Sequence, residues 1–450
     1  MRLLTVPAPA ALASFRAMTI ALATATAVRG AYPGPGNQVL HYGSPESVGM
    51  DPQPLKEMVA NLSGYTTAAN YGSFTHNIIN PIEPGGSVLI GHKNTIVSAF
   101  AFGKKNLYAD ANGTLLPPQK QEEADLDTIY DMASLTKLFT TVATLREMDA
   151  GKIQLNATVA TYVPEFAANG KANITILMLL THTSGFDADP APSLFSGSYP
   201  TYEDKIQAII TQAIINAPGS TYLYSDLNFM SMMIVLERVT GQPLDELIAQ
   251  FTSLLGMRST FFNRGNVEGP KNPFYWQSAA QEFQIEVLGE GEPQRPQPVR
   301  GTVHDENSWA LDGVSGHAGL FSTVRDTAAL CQMILNNGTY GGHRILSQEA
   351  VDHIFTNFNA RFNNINDDHG LGFELDQYYT AGPLNSLLTA SHTGFTGTSV
   401  VVDRGRDTFY LHFSNRVHPS REWSSNNIVR EALGYWVGKS LGLDLLFPQL

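Results

Sequence analysis

The 450-residue chain holds a single cysteine, Cys331. No internal disulfide is possible, and the thiol falls in an apolar helical stretch, 328–335, where a small core residue is expected. Charge is also scarce. Asp, Glu, Lys and Arg make up 15% of the chain, against 43% hydrophobic residues. That balance is too apolar for disorder and ordinary for a globular enzyme. Basic runs are missing and the formal net charge is −13. Both argue against nucleic acid or an anionic membrane surface as a partner. The twelve histidines form neither H-E-x-x-H nor H-x-H, so no metal and no cofactor is expected. A G-x-S-x-G elbow is absent, which argues against an α/β-hydrolase, and so is a Walker A loop.

Long apolar runs are missing too. Only Ala17 to Val28 approaches one, and it is too short to span a bilayer. Arg2 and Arg16 precede it, and a Pro/Gly-rich turn at 32–36 follows. This pattern reads as a secretory signal over residues 1–31 and predicts a secreted protein without membrane insertion. Five N-x-S/T sequons, at Asn61, Asn112, Asn156, Asn173 and Asn337, fit a glycoprotein on that route. The sequence leaves the oligomeric state open.

What is present centres on 131–137, Asp-Met-Ala-Ser-Leu-Thr-Lys. Ser134 and Lys137 open an apolar periodic run, Leu135, Leu138, Phe139, Val142, Leu145 and Met148, which Gly151 stops. The run predicts a buried helix with Ser134 in its first turn. Positions i and i+3 share a face, so the Lys137 amine can reach the Ser134 hydroxyl. A hydroxyl needs a base to become a nucleophile, and burial of a lysine lowers its pKa toward that role. S-x-x-K arises by chance about once in a chain this long, so alone it equally describes a capping serine before a surface lysine.

The rest of the chain supplies context. Residues 86–102 read as an antiparallel strand pair turning at His92-Lys93-Asn94, and 399–413 as a second pair turning at 404–407. Between them, 164–262 is rich in helical periodicity and poor in strand signals. Residues 289–301 are crowded with Pro, Gly and Gln and predict a loop or lid. The chain therefore reads as α+β: an antiparallel sheet flanked by helices, built from 46–163 and 300–450, with a helical domain over 164–299 inserted. Two further stretches can carry chemistry. Tyr224 precedes a helix with Asp226 two residues on, and a phenol beside a lysine can exist partly as phenolate and relay protons. Taken alone, the pair reads first as a tyrosine packing at a helix entry with Asp226 as N-cap. His392-Thr393-Gly394 leads into a strand, where small residues let a substrate backbone lie close and where amides can help form an oxyanion hole with the Ser134 N–H.

S-x-x-K, then Y-x-(N/D), then (K/H)-T-G in this order resembles the penicillin-recognising serine hydrolases, in their class C β-lactamase and D-alanyl-D-alanine carboxypeptidase branch. Leu179 to Gly185, Gly256-Met257, 303–307 and Gly316 to Thr323 are similar to further segments of that family. The resemblance runs from about Gly49 to Val437. It implies a β-lactamase/transpeptidase-like fold, Ser134 as acylated nucleophile, Lys137 as base and Tyr224 as proton relay. Asp226, His392, Thr393 and Gly394 would bind substrate, a peptide or small molecule, with His304, Asp305 and His317 as secondary candidates around the pocket. Two departures stand out. Asp226 occupies a position that is often Asn, and His392 one that is usually Lys in β-lactamases. The function implied is a secreted serine hydrolase of an amide or ester: a D-amino-acid peptide, a cell-wall fragment, a lactam or a small ester. An acyltransferase, or a binding protein that acylates without turnover, is the alternative. Phe274-Tyr275-Trp276 is either an aromatic pocket wall or core.

Overall fold

The computed structural model describes residues 39–71, 79–284 and 295–448. The signal segment 1–31 and the first part of the 289–301 loop lie outside these residues.

The main sheet runs in the order His41–Tyr42, Thr95–Asn106, Gly85–His92, Thr408–Ser414, Ser399–Asp403, Thr389–Thr393, Glu374–Leu375. Its strands come from both ends of the chain. All neighbours along this order are antiparallel except His41–Tyr42, which pairs parallel with Thr95–Asn106, so the sheet is mixed at that edge. The first hairpin turns through Lys93 and Asn94, both with positive φ. This is the two-residue turn that follows the natural twist of a strand pair.

Strand alternation separates two cores. Leu89, Phe409, Leu411, Phe413, Val400 and Val402 face the larger one. Val88, Ile90, Tyr410 and Val401 face the smaller. Because side chains alternate along a strand, both faces must be covered. Helices Pro52–Gly64 and Asn427–Ser440 pack together over the smaller core. The larger core takes helices Thr136–Asp149, Val324–Leu335 and Asp226–Thr240. It runs without a break from the sheet into the helical segment, so the helices around 136–149 and 226–240 share one interior. Cys331 is buried within it, as its context predicted. Among the described residues no helix is long and apolar enough to cross a membrane.

A second, three-stranded sheet, Tyr130–Asp131, Leu320–Ser322 and Phe261–Phe262, joins the segment before Ser134 to the 316–323 stretch. Phe274 stacks on Phe261, which stacks on Phe321, while Arg300 lies over the rings of Tyr275 and Trp276. The aromatic triplet thus packs on this small sheet. Of the sequons, Asn112, Asn156 and Asn173 are exposed, whereas Asn61 and Asn337 accept hydrogen bonds from Trp436 and Arg404.

Candidate active site

Ser134 sits in a single 3-10 turn, Ala133–Leu135, that runs into the helix Thr136–Asp149. The sequence pattern placed it in the first turn of the α-helix, which opens instead at Thr136. The tighter turn has a visible cause. The Asp131 carboxylate accepts from the Ala133 N–H at 2.8 Å and from the His304 N–H at 2.6 Å. That pins Ala133 at φ 45°, a left-handed conformation that costs an L-residue about 1–2 kcal/mol. Asp131 therefore positions both the Ser134 turn and the 304–305 loop. Sequence reasoning did not single it out, although it opens the same stretch.

Lys137 is fully buried. Its Nζ donates to Ser134 Oγ at 2.9 Å and to the His317 carbonyl at 3.2 Å, and it pairs with Asp226 Oδ1 at 2.7 Å. It is thus an ion-paired amine, not the isolated desolvated lysine the sequence suggested. The His317 carbonyl can reach it because Gly316 passes hard against the helix Asp226–Thr240. A Cβ there would lie 2.0 Å from the Phe229 carbonyl oxygen.

Asp226 is the first residue of that helix, and Ser225 holds the cap position in its place. Its carboxylate faces Lys137, so it does not stand in for a substrate-binding amide. Tyr224 packs over the same amine, with Lys137 Nζ 4.9 Å from the ring centroid and its hydroxyl in hydrogen-bonding contact with Ser134. Burial first, and the Asp226 charge second, push the Tyr224 phenol well above its ordinary pKa. The expected partial phenolate is thereby overturned: burial disfavours the charged form, and the largest charge effect on the phenol is that of the Asp226 carboxylate, which also opposes ionisation.

The 179–185 stretch holds this tyrosine in place. His182, itself at positive φ, stacks on Tyr224 with ring centroids 4.4 Å apart. Its Nδ1 accepts from the Ser225 N–H and the Asn228 amide, both at 3.0 Å.

His392 lies on the strand Thr389–Thr393 with its ring centroid 5.9 Å from that of Tyr224. Its Nδ1 meets the Thr393 carbonyl at 2.8 Å, so this nitrogen carries the proton, while Nε2 is buried without a hydrogen-bond partner. Burial, then the Lys137 charge, lower its pKa to about 3. Thr393 is half-buried. Gly394 is buried against the nucleophile turn, where a Cβ would meet the Met132 carbonyl at 2.5 Å and Thr398 Oγ1 at 2.1 Å. Its glycine serves docking of the turn, a different reason from the open strand edge expected. Thr396 and Thr398 complete the docking by donating to the carbonyls of Asp131 and Met132.

The secondary candidates separate. His317 and Asp305 adjoin the centre. His317 Nε2 lies 2.9 Å from Asp305 Oδ1, and its Nδ1 2.7 Å from Ser315 Oγ. Burial alone would lower the His317 pKa, but Asp305 and Asp226 outweigh it and raise the value. Burial would likewise raise Asp305, yet His317 holds it well below the carboxylate range. His304 points elsewhere, with Nε2 on Glu282 at 2.9 Å and its ring stacked on Phe395. It fixes loops. Carboxylate or imidazole atoms of Asp226, Asp305 and His317 lie within 4.8 Å of one another and could hold a cation. The cation the structure places beside them is the Lys137 ammonium.

Three residues carried no usable sequence signal. Asp189 lies at the rim, its carboxyl pushed up to about 6 by desolvation and by Asp226 and Asp305. Glu374, on the strand next to His392, is pushed up to about 7 by burial. Arg430 is buried and donates to the carbonyls of Gly394 and Thr398.

Comparison with known proteins places the chain in a family. The β-lactamase family model matches residues 74–434. A protein of Salmonella enteritidis PT4 named "Putative D-alanyl-D-alanine carboxypeptidase" is 32% identical over 404 residues, covering 84% of this chain and 87% of that one. Two solved structures share the fold at low identity. Simvastatin synthase (LovD) from Aspergillus terreus has a TM-score of 0.63 at 18% identity, over 86% of this chain and 98% of that one. A hydrolase with promiscuous acyltransferase activity, EstCE1, has 0.60 at 20% identity, over 84% and 99%. The chain has the β-lactamase/transpeptidase-like fold and belongs to the β-lactamase family of hydrolases.

Proposed function

We propose that this protein is a serine hydrolase that cleaves an amide or ester through an acyl-enzyme on Ser134, and that it acts outside the cell. The observation that carries the catalytic reading is the chain of contacts Ser134 Oγ, Lys137 Nζ, Asp226 Oδ1, at 2.9 and 2.7 Å.

The contacts order the steps. Ser134 Oγ attacks the carbonyl carbon of the substrate. As it loses its proton to Lys137, Lys137 passes one to Asp226, so the amine ends as it began and the carboxylate holds the proton. The Ser134 and Phe395 amides, which have no hydrogen-bond partner among the described residues, would receive the developing oxyanion. Tyr224 enters as a phenol. It donates to the departing nitrogen or oxygen and is reprotonated from the Lys137–Asp226 pair. Water then attacks the ester carbon by the same relay in reverse, releasing the acid and restoring Ser134.

Steady-state hydrolysis of p-nitrophenyl butyrate tests this. Continuous turnover that falls at least about a thousandfold in Ser134→Ala is expected. A stoichiometric burst with no further turnover would instead make the protein an acylating sensor, and turnover unchanged in Ser134→Ala would refute the nucleophile.

A further inference from the structure

We propose that this site selects acyl donors whose leaving group carries no free carboxylate, and so cleaves neutral esters or amides in preference to peptides that end in a free acid. The inference rests on the Ser134 reading and adds the substrate class to it.

A substrate carboxylate leaving water needs a cation or several strong donors to replace its solvation. The third motif provides no cation. His392 has its Nδ1–H tied to the Thr393 carbonyl, and Nε2 is a buried, unpartnered acceptor. Lys137, Arg430 and His369 surround its ring with positive or ionisable groups, which disfavours a second charge there.

Among the described residues, the other cations that touch the nucleophile turn or the 392–398 turn already have partners. Lys137 is paired with Asp226. Arg430 is buried and donates to Gly394 O, Thr398 O and Asn427 Oδ1. Arg416 lies over the Phe395 ring with Nε on the Phe395 carbonyl and Nη1 on the carbonyls of Arg421 and Ser424. Arg421 is held by Glu282 and Glu306. Nor do the internal segments 72–78 and 285–294 contain a lysine or arginine.

Negative charge, by contrast, gathers on the Lys137 side. Asp226, Asp305 and the rim residue Asp189 gather beside Lys137. Across from them Glu374, in register with Ser391 one residue before His392, is a buried carboxyl pushed up to about 7, so that side supplies no cation either. A substrate carboxylate would approach Asp226, Asp305 and Asp189, while the nearby Arg416 and Arg430 have their Nη or Nε donors engaged by backbone carbonyls, an arrangement that favours rejection. A carboxamide or ester of the same shape brings no charge. Phe395, exposed beside the site on the turn that follows the motif, offers such a group an apolar surface.

The test compares 3-carbamoylphenyl butyrate with 3-carboxyphenyl butyrate, which are close in shape and differ chiefly in the charge of the leaving group. The expected kcat/KM favours the carbamoyl ester at least tenfold after subtraction of spontaneous hydrolysis. His392→Lys should narrow that ratio by restoring a cation. A wild-type ratio near one, or a preference for the carboxyl ester, would overturn the inference while leaving the Ser134 reading intact. Turnover of neither ester, or turnover that persists in Ser134→Ala, would remove the reading and the inference together.

Discussion

Two buried imidazoles within reach of the same lysine have opposite charge preferences. His317, on one side of Lys137, has a raised pKa, and His392, on the other, has one lowered to about 3. Both are almost completely buried. What differs is the company. His317 has the Asp305 carboxylate at 2.9 Å and Asp226 nearby. His392 has a backbone carbonyl, a lysine and an arginine. Burial by itself lowers a histidine, and a carboxylate in contact reverses the sign. The candidate site is therefore divided into an ion-paired wall around Lys137 and an uncharged wall of His182, His369 and His392 behind Tyr224. The division explains why Tyr224 stays a phenol and why the third motif lacks a cation.

The comparison can be broken first at Asp226. Asp226→Asn keeps the shape of the charged wall and removes the acceptor at the end of the relay. We expect kcat to fall about a hundredfold or more with KM little changed. Equal kcat in both proteins across pH would show that the pair is structural only.

Asp305→Asn removes what sets His317 apart from His392. Chemical denaturation should show a loss of about 3 kcal/mol near neutral pH, since a buried pair is broken. The sign with pH follows from both partners. A raised histidine contributes stability that is complete below its ordinary pKa and fades as pH rises through its folded value. A depressed carboxyl contributes stability above its ordinary pKa that fades as pH falls. The difference between wild type and variant should therefore shrink toward both extremes. A pH-independent difference would mean that packing, and not charge, is what Asp305 supplies.

Glu374 sharpens the uncharged side. Its folded pKa of about 7 lies above the ordinary 4.5, so the folded state holds the proton more tightly. Stability should fall as pH rises through that window, by about 2 kcal/mol. Glu374→Gln should flatten this fall in a melting-temperature series from pH 5 to 8. An unchanged slope would assign the pH dependence to other groups.

Much of the fold was legible because it follows from local pattern. The two hairpins, the long helices and the order of the three motifs all depend on spacing that a sequence displays. The coming together of Ser134, Lys137, Tyr224, Asp226 and His392 is implied by the same motifs. Charge was less legible, because it depends on which distant side chains meet. Asp226 looked like a cap or a substrate ligand until its carboxylate was seen 2.7 Å from Lys137. Tyr224 looked ionisable for want of the same fact. Asp189, Glu374 and Arg430 come from a loop, an edge strand and the C-terminal helix. No spacing rule connects such positions, and only tertiary packing brings them to one place.

The central claim is that Ser134 is an activated nucleophile, and intact-protein mass after treatment with a fluorophosphonate tests it most directly. The account predicts one phosphonyl adduct on the wild type and none on folded Ser134→Ala. A wild type that stays unmodified while folded, or an adduct that persists in the variant, would contradict it.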